Sequence, residues 1–563
     1  MDDYRSDEVL ISDRIGDDLA VRFVEVREPK QTEEFKLFWI LIGLFFFLTR
    51  VLPAVEYFSI DNVNLALALE KFDPRIHQPQ PPGYPLFVAF SRLIDLFFHD
   101  VTVTFLIISV LVCGLCVPLT FALARRMFSP WVAKAATLLF VVNPVFWYSG
   151  LNGPLRPNLA LFSLIVAYCA WRAWQGEEKF VAWGALAVGI GSGFRPEILV
   201  FMFPLWFVSA WIGKRSWRSL IGGFLLIGIG VLAWFLMLVL AVGGVFPLWN
   251  LMSDYAVAQS RGESPLLGAA VIAWMHQVNR LFIWNGLALI GGVWVIPWFL
   301  RSKARLGLRS SQAAFMAIWL LPGLTLQALT HVAAPGHTLF STPALCIVTA
   351  YILWIGVKEL VRSDSLLMQA RETALYGAAI FNVMLFLNAF PVPRTPSTGA
   401  FTLVRNAVAY GVFETSLDNL RWFDQVTRQS LKDIQTFTPK NRNEPAILVS
   451  GDVAPKTWFM NWRIARYYMP DRDIWVLADQ IQPPMAQRVR RDKVIETRTG
   501  MPVRIPIPCS GRILWLIENG GPFYMELSKI WELAGSPNVV VTATEVGSKC
   551  PTFRVKDFEF VPQ

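Results

Sequence analysis

Long apolar stretches with almost no charge recur along the chain, separated by short polar segments. They predict membrane-crossing helices at about 37–53, 101–124, 131–149, 219–242, 279–300, 313–330, 338–357 and 371–389. Each is near or above the length at which a helix crosses a bilayer with its backbone satisfied internally. Three shorter runs, 156–173, 180–194 and 197–213, bring the expected number of spans to eleven. The last two meet at Gly193-Phe194-Arg195-Pro196-Glu197, a junction of the kind that lines a protein interior rather than facing lipid. Segment 84–98 is apolar but holds Arg92 and Asp95 and follows a proline cluster, so it predicts a helix lying partly in the outer leaflet.

The character changes near residue 391. Residues 401–437 read as helices, with Leu, Phe and Val recurring among Arg, Asp and Gln. Short β-type runs follow at Ala446–Ser450, Ile474–Leu477, Arg512–Ile517 and Val539–Thr544, with a helical segment at 457–468 between the first two. The expected fold is therefore a polytopic α-helical membrane protein with a small C-terminal α/β domain. The expected division is an acidic segment over 1–35, a membrane domain over 36–390 and the α/β domain over 391–563. Gly451-Asp452 after the first strand reads as a strand end, because no glycine-rich phosphate signature follows.

Composition agrees with the pattern: 54% of the 563 residues are hydrophobic and only 17% charged, which excludes a soluble enzyme. The net charge of +9 does not indicate nucleic acid. Residues 1–35 hold 11 acids and 5 bases, and the basic excess elsewhere is scattered through short loops. With the N-terminus in the cytoplasm, the inner loops carry 15 Lys and Arg and the outer ones 7, as the positive-inside rule requires. Eleven spans then place the C-terminal domain outside. Cys113 and Cys116, one helical turn apart in an apolar run, read as packing residues. Cys509 and Cys550 are the candidates for a disulfide, given an oxidising compartment.

Candidate chemistry gathers on the expected outer loops. The first holds Asp61-Asn62, then Asp73-Pro74, then His77-Gln78-Pro79-Gln80-Pro81-Pro82-Gly83-Tyr84-Pro85, whose prolines fix the backbone path. A carboxylate such as Asp61 near the membrane surface, in apolar surroundings, suits a general base; a helix cap or interfacial charge is the plainer alternative. Arg156, the Arg195/Glu197 junction and the pair His331 and His337 are the other candidates. An arginine at such a place binds a lipid phosphate or snorkels to headgroups. Three of the five histidines, His77, His331 and His337, fall on these loops, so a divalent metal held with Asp61 is left open. The 244–278 loop reads as an amphipathic interface segment able to cover a lipid-facing cavity. Trp458, Trp462, Tyr467 and Tyr468 on the C-terminal helix read as packing.

An Asp soon after the first span, a His-x-Pro-x-Pro-Pro-Gly-Tyr-Pro loop and a membrane-hugging helix before the second span resemble the GT-C glycosyltransferases. The nearest resemblance is to the bacterial branch related to protein O-mannosyltransferases and the lipid A aminoarabinose transferase, over roughly residues 35–390. It implies transfer of a sugar from a polyprenyl-phosphate donor at the outer, periplasmic face of a bacterial inner membrane. The acceptor would be an envelope glycan, lipid or protein, and membrane lipids the surrounding partner. The resemblance makes Asp61 the base and places Asp73 and His77 in a second region near the substrates. It makes Arg195 and His337 contacts of the donor phosphate, with Arg156, Glu197, His331 and Tyr84 as further substrate-binding candidates. Many relatives have two adjacent acids where this chain has Asp61-Asn62. A single displacement at the anomeric carbon would invert its configuration, and no ATP motif is needed because such a donor is already activated. The rival classes are a transporter or flippase for a lipid-linked saccharide, a ligase or polymerase of such saccharides, and a non-catalytic envelope scaffold. Against transport stand the odd span count and the lack of two similar halves.

Overall fold

The computed structural model describes residues 33–51, 54–214, 216–302, 310–361, 363–390, 400–437, 446–451, 462–478, 483–491, 493–509, 511–517, 521–531, 534–535, 541–546 and 552–562. The segment 1–32, five of the inner-loop bases counted above (Arg215, Lys303, Arg305, Arg309 and Arg362), Asp452, Trp458, Val539 and Cys550 lie outside them. The chain divides into two compact units, Met1–Thr49 and Arg50–Gln563. The described part of the first is the apolar body of helix α1 (Glu33–Val51), where the Thr49 hydroxyl donates back to the Phe45 carbonyl.

The second unit opens with α2 (Ile60–Glu70), which places Asp61 in its first turn, where the helix dipole favours a carboxylate. Helix α3 (Pro85–Phe98) starts at a proline and ends before His99. Helix α4 (Val101–Met127) is capped by Asp100, whose side chain accepts from the Thr102 and Val103 N–H groups. The third expected span, 131–149, is not one helix. It is α5 (Pro130–Val141) and α6 (Pro144–Asn152), bent by 48°. The cause is local: Asn143 accepts from the Val145 and Phe146 N–H groups, and Pro144 at the first helical position starts a new helix.

Helices α7 (Pro157–Trp174), α8 (Lys179–Phe194), α9 (Glu197–Lys214) and α10 (Trp217–Val242) follow, with α8 packed along α10 and α7, α8 and α9 packed on one another. Helix α11 (Val245–Ser260) and a short 3₁₀ turn lead to α12 (Val271–Leu289), which runs through Gly291-Gly292 into α13 (Ile296–Arg301). Then come α14 (Ser310–Leu329), a 3₁₀ turn over Pro335–Phe340, α15 (Thr342–Leu360) and α16 (Asp364–Phe386). All eleven stretches picked out by hydropathy are mainly helical. Among the described residues five helices are long and apolar enough to cross a membrane singly, and six if the bent pair counts as one. Buried tryptophans lock the bundle while satisfying their N–H groups: Trp206 donates to the Val181 carbonyl, Trp234 to the Ser192 hydroxyl and Trp319 to the Phe340 carbonyl.

Helices α17 (Ala400–Phe413) and α18 (Leu417–Phe437) lead into the C-terminal sheet. Its first two strands, β1 (Ala446–Ser450) and β2 (Ile474–Ala478), pair in parallel around α19 (Trp462–Tyr468), the expected β-α-β start. β3 (Met485–Arg490) and β4 (Lys493–Thr499) form a hairpin on one edge. β6 (Gly511–Leu516) lies parallel to β1 on the other side, followed by β8 (Val541–Val546) and β7 (Ala534–Gly535). β5 (Val503–Ile507), β10 (Phe558–Pro562) and β9 (Phe553–Val555) form a second, three-stranded sheet. Trp515, Phe523, Phe553 and Phe560 fill the core shared by the two sheets and α20 (Pro522–Leu527). Cys509 is disulfide-bonded, whereas Cys113, Cys116, Cys169 and Cys346 are free and buried.

This C-terminal region grips the segment that carries Asp61. Asp424 on α18 accepts from the Glu56 and Tyr57 N–H groups at 3.1 and 3.0 Å. The Tyr468 hydroxyl on α19 accepts from the Phe58 N–H at 2.8 Å, and the Tyr57 and Tyr468 rings meet edge to face. Arg428 pairs with Glu56, and Arg491 at the β3–β4 turn pairs with Glu70 at the far end of α2. Helix α2 is thus held at both ends by the α/β region.

Candidate active site

Asp61 lies where several chain breaks converge. The Arg156 Nη2 donates to Asp61 Oδ2 at 2.7 Å, and the Asp61 side chain is about a third exposed (35%). A guanidinium therefore faces this carboxylate, not the purely apolar surroundings expected from sequence. Arg156 caps α7 after the Gly153-Pro154 break, and Gly336 of the 3₁₀ turn comes so close that any Cβ there would collide with its side chain.

Arg195 sits in the α8–α9 break, buried, with Nη2 donating to Glu197 Oε1 at 2.7 Å and its guanidinium 5.3 Å from the Tyr84 ring centre. Two polar atoms here are buried without a hydrogen-bond partner among the described residues: Arg195 Nε and Glu197 Oε2. Such atoms are costly to leave unmade and mark where a polar ligand would be welcome. Tyr84, held in a left-handed backbone conformation at the start of α3, has its phenol kept protonated by burial, with the nearby charges of Arg195, Glu197 and Asp61 acting on it as well. His337 lies in the 3₁₀ turn, which Gln327 fastens by donating to the His337 carbonyl at 2.7 Å. Burial, and then the charges of Arg195 and Arg156, hold its imidazole well below the usual range, so it is neutral.

The remaining candidates fall at the edge of this group or outside it. His77, also left-handed in backbone, meets the Tyr255 ring edge to face at 5.9 Å. Burial, then Arg463 and Arg466, pushes its imidazole down to about 4. Tyr255 belongs to α11, whose Phe246 and Trp249 are exposed. Asp73 builds the loop: both its oxygens accept from Arg75, at 2.8 and 2.9 Å, and its N–H donates to the Gln78 carbonyl at 2.6 Å. Burial raises the Asp73 carboxyl, but Arg75 outweighs this and holds it below the usual range. His331 pairs with Glu263 at 2.7 Å rather than with Asp61. Among the described residues no group of three or more His, Cys, Asp or Glu is placed to hold a metal ion.

Asn62 resolves the apparent gap in the acidic pair. It is buried, donating through Nδ2 to the Asn152 carbonyl, with Gly153 packed on its amide. Asn62→Asp would set a carboxylate against that carbonyl and remove the donor. It is expected to destabilise the fold by about 1–3 kcal/mol, measurable as a lower thermal midpoint of the purified protein. An unchanged midpoint would refute this packing role.

Sequence reading missed Arg463 and Arg466 on α19. Arg463 interacts electrostatically with Tyr255 and Asp61, and both arginines act on His77. They lie some four hundred residues beyond Asp61, and nothing local marks them.

A family model described as dolichyl-phosphate-mannose-protein mannosyltransferase matches residues 79–204, from the proline loop to α9. The crystal structure of apo ArnT from Cupriavidus metallidurans superposes with a TM-score of 0.53 at 14% identity, covering 91% of this chain and 98% of that one. ArnT from the same organism bound to undecaprenyl phosphate gives 0.53 at 13% identity, covering 90% and 97%. The chain has the GT-C fold. The alignment covers nearly the whole chain. No curated protein sequence matches the chain.

Proposed function

We propose that this protein is an inverting glycosyltransferase that moves a sugar from a polyprenyl-phosphate donor to a hydroxyl acceptor. The observation that carries the reading is the Asp61–Arg156 pair set beside Arg195, whose buried Nε has no hydrogen-bond partner among the described residues. The GT-C fold, and its occurrence in an ArnT structure bound to undecaprenyl phosphate, support it.

The reaction follows from these groups. Asp61 takes the proton of the acceptor hydroxyl as its oxygen attacks the anomeric carbon. The bond from that carbon to the phosphate oxygen breaks, and the lipid phosphate leaves with the electron pair. Arg195 and Arg156 face the charge that grows on it, and neutral His337 can donate a hydrogen bond without adding a third cation. Arg156, bonded to Asp61 in the structure, is shared between base and phosphate: as the phosphate draws it over, the carboxylate is freed for the proton. Asp73 holds the loop in shape, and His77 and Tyr84 line the approach.

For placement we infer eleven spans in a bacterial inner membrane, the N-terminus cytoplasmic and the α/β region periplasmic, from the loop charges. The test is transfer by the purified protein in lipid, with native membrane lipid extract as the source of polyprenyl-phosphate sugars and products read by mass spectrometry. The expected result is free polyprenyl phosphate together with a newly glycosylated product. Movement of intact lipid-linked saccharide across the bilayer with no cleavage would overturn the reading in favour of a flippase.

A further inference from the structure

The 3₁₀ turn over Pro335–Phe340 packs on both α6 and α7, the helices that flank the Gly153-Pro154 break. A methyl group at Gly336 would overlap Arg156 Cδ and lie 2.9 Å from Arg156 Cβ and 3.0 Å from Ser149 Oγ. The two carbons belong to the middle and the root of a side chain, so neither swings aside as a flexible tip would. Ser149 narrows the same gap from α6. It is buried, and its hydroxyl has no hydrogen-bond partner among the described residues. Nothing in the backbone asks for glycine here, because Gly336 does not adopt a left-handed φ. What the glycine supplies is space.

A side chain in that space would force either the turn or the arginine to move, and the turn is the better held of the two. Gln327 of α14 donates to the His337 carbonyl at 2.7 Å, and Trp319 of the same helix donates to the Phe340 carbonyl at 3.1 Å. Inside the turn the Thr338 hydroxyl donates to the Pro335 carbonyl at 2.9 Å. Just beyond it, the Ser341 hydroxyl donates to Asn285 Oδ1 of α12 at 2.6 Å. The Phe340 ring seats on α14 at Gly323, where any Cβ would collide with it. Among the described residues the Arg156 guanidinium has one hydrogen bond, from Nη2 to Asp61 Oδ2. The arginine is therefore the part that yields.

Resting on the glycosyltransferase reading, we infer that Gly336 is a positioning residue for the transfer step: the space left by its missing side chain sets the path along which Arg156 reaches Asp61. It acts through Arg156. Relieving the overlap moves that side chain by about 1 Å, and misplacement on this scale costs a reaction about 100-fold. The same shift carries the 2.7 Å bond to Asp61 beyond hydrogen-bond reach.

The test is a double-mutant cycle on the full-length protein in lipid nanodiscs. Native membrane lipid extract supplies donor and acceptor, and transfer is read by mass spectrometry. Gly336→Ala should lower turnover about 100-fold. Arg156→Ala should lower it at least as far. The double variant should fall no more than about threefold below Arg156→Ala, since the side chain that the methyl would displace is already gone. Gly377→Ala is the control: a Cβ there meets open space on α16, and turnover should stay within about twofold of wild type. Thermal midpoints separate misplacement from unfolding. Any midpoint lost in Gly336→Ala should return in the double variant to that of Arg156→Ala. Wild-type turnover in Gly336→Ala or in Arg156→Ala would overturn the inference. So would an equal fold loss from Gly336→Ala in both backgrounds, or a lowered midpoint that the double variant keeps. A wild type that releases no polyprenyl phosphate and forms no glycosylated product would overturn the glycosyltransferase reading, and this inference with it.

Discussion

Asp61→Asn is expected to lower sugar transfer by about 10²–10⁴-fold, the usual contribution of a positioned base. The substitution keeps size and shape but removes the ability to take a proton. It also breaks the ion pair with Arg156, and this yields a second readout. If Arg156 is shared between the base and the donor phosphate, losing its partner carboxylate leaves it freer for the phosphate. Undecaprenyl phosphate should then bind the variant as tightly as wild type or tighter, while turnover collapses. A merely structural role for the Asp61–Arg156 bridge predicts the reverse, with binding and turnover failing together and the thermal midpoint falling. Turnover equal to wild type would remove Asp61 as the base. The next carboxylate to test would be Glu197, whose Oε2 is buried without a partner among the described residues, rather than Asp73, whose oxygens are both taken by Arg75.

How far the sequence could anticipate this arrangement depended on how local each cause is. Hydropathy located the helices because burial in lipid acts on every residue of a span alike. It ran α5 and α6 together because averaging over 131–149 hides the one dipeptide, Asn143-Pro144, that starts a new helix. The convergence of Asp61, Arg156, Arg195 and His337 was legible only as a set of unusual loops; the last three each sit at a break marked by proline or glycine. Asp73 was placed near the substrates by the resemblance alone, although Arg75, two residues on, was available to hold it. Asn62 read as a missing acid because a sequence does not show which way a side chain leaves the first turn of a helix. Arg463 had no local signature at all, since its electrostatic interaction with Asp61 arises where α19 packs on α2.

Arg195→Ala is expected to weaken undecaprenyl phosphate binding by about 30- to 1,000-fold, in line with the loss of a buried, charge-assisted contact. Arg195 is placed for this by the α8–α9 break, which leaves its guanidinium buried between Tyr84 and Glu197 with Nε unused. The obvious confound is folding, because the substitution strips Glu197 of its partner. Two features limit that damage: the Glu197 side chain keeps 35% of its exposure, and it begins α9, where the helix dipole favours an acid. A companion variant separates the two effects. Arg195→Ala with Glu197→Gln has no carboxylate left to strand, so its thermal midpoint should return toward wild type. Its undecaprenyl phosphate affinity should stay low, because the cation is still missing. Arg195→Lys should fall between, since an ammonium supplies charge but cannot donate to Glu197 and to a phosphate from one rigid plane. Wild-type affinity in Arg195→Ala, or affinity that returns with the midpoint in the double variant, would show that Arg195 only braces the junction and that the phosphate is held elsewhere.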